Sequence, residues 1–166
     1  MLSVKRWGRS PMSGTVVLGL GNVICSDGGL GVHAISRLHQ HYQFPADVEL
    51  VEGGTAGLRL LPRLADADRA VLIDAVDVGA APGTLVRLEG DDLDCYVRGV
   101  SARATGLADL LHAARQGGKS PSRLVLHGAQ PAETGLGTRL SGPVAAALGM
   151  LAGRVAADLM PAPERA

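Results

Sequence analysis

A chain of 166 residues with 46% apolar and 19% charged residues can bury one substantial core, and its formal net charge of zero with no long basic run speaks against a nucleic-acid or anionic-membrane surface. Trp7, Tyr42, Phe44 and Tyr96 are the whole aromatic complement, too few for a base-stacking platform. Cys25 and Cys95 are isolated, which suggests neither a zinc knuckle nor a disulfide framework and fits a reducing cytoplasm, and no apolar run approaches the roughly 20 residues of a membrane span.

Residues 1–14 carry Lys5, Arg6 and Arg9 without an apolar stretch, so they read as a flexible extension and not as a secretory signal. Met12, just ahead of the first strand, is an alternative start. Residues 16–20 form a short apolar run stopped by glycines, the mark of a buried strand. Leu30, Ala34, Ile35 and Leu38 recur at helical spacing and predict a helix over 30–42. A strand over 48–51, a short helix over 56–64, a strand over 70–73 and, after the Pro82-Gly83 turn, a strand over 84–88 follow. Residues 91–103 are charge-rich without a clear period and read as a loop on the active face. A helix over 106–115, capped by Thr105, precedes a strand over 123–126. Ser141 and Pro143 open a last helix carrying Val144, Ala147, Leu148, Leu151 and Val155, and residues 161–166 read as a frayed tail. Five strands alternating with four helices predict a single domain over 15–160, an α/β three-layer sandwich with a twisted sheet.

Three glycine- or aspartate-bearing turns follow strands: Gly19 to Gly31, Gly53-Gly54-Thr55, and Asp74 to Asp77. Loops leaving the carboxyl ends of strands converge in such folds, so the three are expected to share one pocket. Gly19-Leu20-Gly21 resembles a dinucleotide fingerprint, but Ile24 occupies the place of its third glycine. Gly118-Lys119-Ser120 lacks the first glycine of a phosphate loop and follows a helix, and no G-x-S-x-G elbow occurs. For Asp27 two readings stand, a cap on the first helix or a chemical role. Asp74 closes an apolar strand, where a carboxylate is costly unless solvated, paired or coordinated, and a functional role is expected.

Taken together these residues resemble the NiFe-hydrogenase maturation proteases. Gly19-Leu20-Gly21-Asn22, Asp27, Gly29 and Gly31 match the family's opening motif, and Gly53 to Gly57 its glycine–threonine turn. Asp74-Ala75 with Ala81-Pro82-Gly83-Thr84 matches its third motif, and Ser101 to Leu111 its fourth. The resemblance implies an endopeptidase that removes the C-terminal peptide of a hydrogenase large-subunit precursor after nickel insertion. It implies no permanently bound cofactor, since the nickel belongs to the substrate. Asp74 and Asp27 are the implied catalytic residues, and Gly53, Gly54, Thr55, Asn22 and Arg103 the implied substrate contacts.

The family's three nickel-reading positions fall on Gly28, Asp74 and Arg103, and only Asp74 has a side chain that can ligate. An Arg103–Asp74 pair is the expected substitute for a metal. These departures leave an alternative: a non-catalytic member that binds or chaperones the large subunit.

Overall fold

The computed structural model describes residues 14–100 and 106–160. The extension up to residue 13, the tail from 161, Thr105 and Arg103 lie outside them. Gly14 is already part of the fold: it is buried and its carbonyl accepts the N–H groups of Asp68 and Arg69.

Strands β1 (Thr15–Leu20), β2 (Val48–Gly54), β3 (Arg69–Ala75), β4 (Leu85–Glu89) and β5 (Arg123–Ala129) form one sheet in the order β2-β1-β3-β5-β4. All neighbours run parallel except β4, which is antiparallel to β5. The helices are α1 (Leu30–His41), α2 (Leu61–Asp66), α3 (Asp91–Val100), α4 (Leu107–Gln116) and α5 (Gly142–Leu159), with short 3-10 turns at Ser26–Gly29 and Gly57–Leu60. The expected α/β three-layer sandwich is therefore present.

Strand alternation sorts the core into two layers. Val16, Leu18 and Leu20 of β1 face a cluster with Leu72, Leu93, Val97, Leu107 and Leu110. Val17 faces the other side, with Leu30, Ile35 and Leu38 of α1 and Leu151 and Val155 of α5. The chain leaves β1 toward β2 by way of α1 on one face. It returns over β1 to β3 by way of α2 on the other. The strand order thus reverses between β1 and β3, and their carboxyl ends flank the switch-point crevice where α/β folds bind ligands.

Residues 91–100, expected as loop, are helix α3. Leu93 and Val97 are buried, Tyr96 packs beside them, and Asp91, Asp92 and Asp94 fill the first turn, where negative charge suits the helix dipole. An Arg115–Asp94 ion pair ties α3 to α4. By length and composition alone α5 is apolar enough to cross a membrane, although Arg154 and Asp158 interrupt its apolar run. In the fold that apolar surface packs on α1 and β5. Near its end Asp158 receives Nε2 of buried His127 at 2.7 Å and Nε of Arg87 at 2.9 Å. Burial lowers the His127 pKa and the ion-pair partners hold Asp158 low against its own burial, so a neutral imidazole donates to a carboxylate.

One close approach fixes α1 on the sheet. A Cβ on Gly31 would overlap the Leu20 backbone and the Ile73 carbonyl, so only glycine lets α1 lie this near β1 and β3. Gly31→Ala is expected to cost about 3 kcal/mol or more, since backbone and not a flexible side chain blocks the methyl group. Urea unfolding of the two proteins measures it.

Candidate active site at the strand ends

The three turns singled out in the sequence meet at the carboxyl end of the sheet. The N–H of Gly21 donates to the Gly54 carbonyl at 3.1 Å, which joins the first turn to the second. Gly21 lies at φ 111°, and Asp74 Oδ1 sits 3.2 Å from where its Cβ would be, which joins the first turn to the third. A cleft of about 210 Å³ opens beside them, lined by Asn22, Val23, Val32, Glu52, Gly54 and Thr55 together with Gly21. Asn22 Oδ1 accepts the Ile24 N–H at 3.1 Å and its own N–H donates to the Gly28 carbonyl at 2.8 Å, so this residue shapes the turn. Gly53 is buried beneath the cleft and Thr55 is exposed at its edge.

Asp74 is half-buried at the end of β3, and Oδ1 accepts the Ala75 N–H at 2.8 Å. Burial pushes its carboxyl up to about 7, with that one hydrogen bond opposing. The phenol of Tyr96, on α3, is raised by its own burial and next by the Asp74 charge, while the Asp77 backbone N–H offsets part of this. Tyr96 is a neighbour that reading 91–103 as a loop could not place. Gln130, at the end of β5, holds the next turn: its Oε1 accepts from Val78 and Ala80 at 2.8 and 3.1 Å, and its Nε2 donates to Asp77 at 2.9 Å.

Asp27 has a different setting. It is fully buried, and its side chain makes no helix-capping hydrogen bond. Oδ2 accepts from the N–H groups of Ala132 and Glu133 at 2.8 and 2.9 Å and from the Ser141 hydroxyl at 2.8 Å, and Oδ1 accepts the Ser141 N–H at 2.7 Å. Burial alone would raise its pKa, but these bonds together hold it below the usual carboxylate value. Ser141 stands at the N-cap position of α5, as expected, but spends its hydroxyl on Asp27. Next to it Ser26 is held in the left-handed region at φ 51° by a bond from its hydroxyl to the Gly135 carbonyl and from its N–H to that of Gly137. Asp27 and Ser26 thus anchor the loop between β5 and α5.

Gly28 lies in the 3-10 turn with its Cβ direction facing Cys25 Cβ at 3.1 Å. Arg103 and its expected pairing with Asp74 fall outside the described residues. Among the described residues no three His, Cys, Asp or Glu side chains gather as a metal site.

The family model for hydrogenase maturation protease, HycI, matches residues 32–157. The chain belongs to the hydrogenase maturation protease family. It is 42% identical to the hydrogenase expression/formation protein HupD of Rhodobacter capsulatus over 120 residues, 71% of this chain and 57% of HupD. To the hydrogenase 2 maturation protease of Escherichia coli it is 38% identical over 118 residues, 70% of this chain and 72% of the relative. The chain spans little more than half the length of the first HupD relatives it matches, 57% and 54%. Among solved structures it resembles the hydrogenase maturating endopeptidase HybD from E. coli, with a TM-score of 0.81 and 34% identity over 88% of this chain and 91% of that one. The five-stranded mixed sheet flanked by helices is thus this chain's version of the maturation-protease fold.

Proposed function

We propose that this protein is a processing endopeptidase that cleaves a C-terminal peptide from the precursor of a hydrogenase large subunit. The observation that carries the reading is Asp74 at the switch point between β1 and β3, within contact range of Gly21, in a chain of the maturation-protease family. Peptide hydrolysis adds water across a C–N bond: the water oxygen bonds the carbonyl carbon, and the amine leaves with a proton. A carboxyl with a pKa of about 7 populates both forms at neutral pH, so Asp74 can take the water's proton and return it to the leaving nitrogen. Asn22, Gly54 and Thr55 line the cleft beside it and offer the polar contacts that hold an extended polypeptide.

Nickel enters with the substrate. An ionised Asp74 is an oxygen donor of the class such a metal accepts, whereas Gly28 and Arg103 bring no ligating side chain. The two free cysteines, Cys25 and Cys95, support action in the reducing cytoplasm.

Incubation with the nickel-loaded precursor, with its mass measured before and after, tests the proposal. Loss of one C-terminal peptide is expected. Glycine at position 28 favours a second reading, a member that binds the large subunit without cutting it. A stable complex with unchanged precursor mass would select that reading.

A further inference from the structure

Exposed apolar side chains are unevenly distributed over this molecule. The large ones among the described residues are Val23, Ile24, Leu58, Val78, Leu136, Met150 and Met160. The first five stand on segments that leave the carboxyl ends of β1, β2, β3 and β5, so every parallel strand contributes to the catalytic end of the sheet. The two methionines belong to α5 and the residue after it. Scattered single apolar residues are ordinary on a protein surface, but their concentration at one end marks a contact surface.

The most exposed of them, Leu136, is also firmly held. Leu136 is 89% exposed, yet its neighbours are fixed: the Gly135 carbonyl accepts the Ser26 hydroxyl at 2.9 Å, and the Gly137 N–H donates to the Ile24 carbonyl at 3.0 Å. Cys25 and Gly137 pair as a parallel β-bridge, which brings Ile24, 52% exposed, alongside Leu136. The four hydrogen bonds to Asp27 fix the rest of this loop. A loop tied down by its backbone while presenting a leucine to water is preorganised for a partner.

We infer that Leu136 and Ile24 form an apolar rim that receives an apolar stretch of the precursor polypeptide next to the bond that is cut, with Ser26 and Asp27 as positioning residues. The occupant follows from continuity: Val23 belongs to the exposed set and also lines the cleft beside Asn22 and Thr55, so one partner covers rim and cleft together. This rests on the proposed reading of the cleft as the peptide site.

The test measures both the dissociation constant for the nickel-loaded precursor and the rate of its cleavage. The full chain is compared with Leu136→Ser, Ile24→Ser and, as control, Met150→Ser. Burial of a leucine predicts that Leu136→Ser binds about tenfold to a hundredfold more weakly, with kcat unchanged and KM raised. Ile24→Ser is expected to act the same way, and Met150→Ser to match the parent. If Leu136→Ser and Ile24→Ser both bind like the parent, the rim is not a docking surface. Should the parent be a dimer in sedimentation that Leu136→Ser dissolves, the rim serves a second copy and the inference is overturned. A parent that binds the precursor without cutting it, and loses binding with Leu136→Ser, overturns the peptidase reading but keeps the rim. A parent that binds no precursor overturns both.

Discussion

Asp27→Ala is expected to destabilise the fold by about 3–5 kcal/mol at neutral pH and to lower Tm by on the order of 10 °C. The change removes a fully buried carboxylate and leaves three backbone N–H groups and the Ser141 hydroxyl without their acceptor. Asp27→Asn is the sharper comparison. It keeps the volume but sets an amide NH2 against donors, and most of the loss should remain. The pH dependence separates this from a packing defect. The folded-state pKa of Asp27 lies below its ordinary value, so its contribution is present above about pH 4 and disappears as pH falls through the folded value. Parent and Asp27→Asn should therefore converge in stability as pH falls below about 4 and stand furthest apart near pH 7. Urea titrations at the two ends of that range measure it. A constant difference across the range would mean that the ionised carboxylate is not what holds the loop.

The same residue shows where the sequence was readable and where it was not. Local patterns carried the elements well. The apolar run after Gly14 is β1, and Leu30, Ala34, Ile35 and Leu38 are the buried face of α1. Strands β3 and β5 run past the apolar stretch that predicts them. Asp74 pairs with Gly128 and Ala75 with Ala129, and ladder hydrogen bonding continues where hydrophobicity stops. Helix α3 was hidden because its acidic first turn outweighs two buried residues, although Leu93, Tyr96, Val97 and Val100 do repeat at helical spacing. Ile24 at the place of a fingerprint's third glycine spoke against a dinucleotide fold, and the glycine that lets a helix approach the sheet here is Gly31. The convergence of the three turns followed from strand ends alone. The partners of Asp27 did not, because they lie 105 to 114 residues away and are mostly backbone groups, which leave no mark in sequence. Tyr96 beside Asp74 escaped for the same reason as α3.

Asp74→Asn is expected to abolish precursor cleavage and, unusually for a change at a strand end in a packed crevice, to stabilise the protein above neutral pH. The amide is isosteric and keeps an oxygen for the Ala75 N–H, so the one hydrogen bond the side chain makes among the described residues survives. What is lost is the charge. The fold raises the Asp74 pKa from 3.8 to about 7 by burial. A raised pKa means the folded state favours the protonated form, so this residue's contribution is complete below about pH 4 and is lost as pH rises to about 7. Above that the parent carries an ionised carboxylate in a half-buried crevice, at a cost on the order of 4 kcal/mol for a rise from 3.8 to about 7. Asparagine has no such loss. The stability curves of parent and variant should coincide near pH 4, separate through pH 5–7, and stay apart by a constant amount at pH 8, with the variant the more stable. Thermal unfolding across this range reads the difference, and cleavage of the nickel-loaded precursor reads the activity. A variant that is inactive and more stable at pH 8 identifies Asp74 as a group kept against the interest of the fold, the pattern expected of a working site. A variant that still cleaves the precursor would move the chemistry away from Asp74. One less stable than the parent at pH 8 would mean that a partner at the crevice, with Arg103 the first to examine, holds the carboxylate ionised.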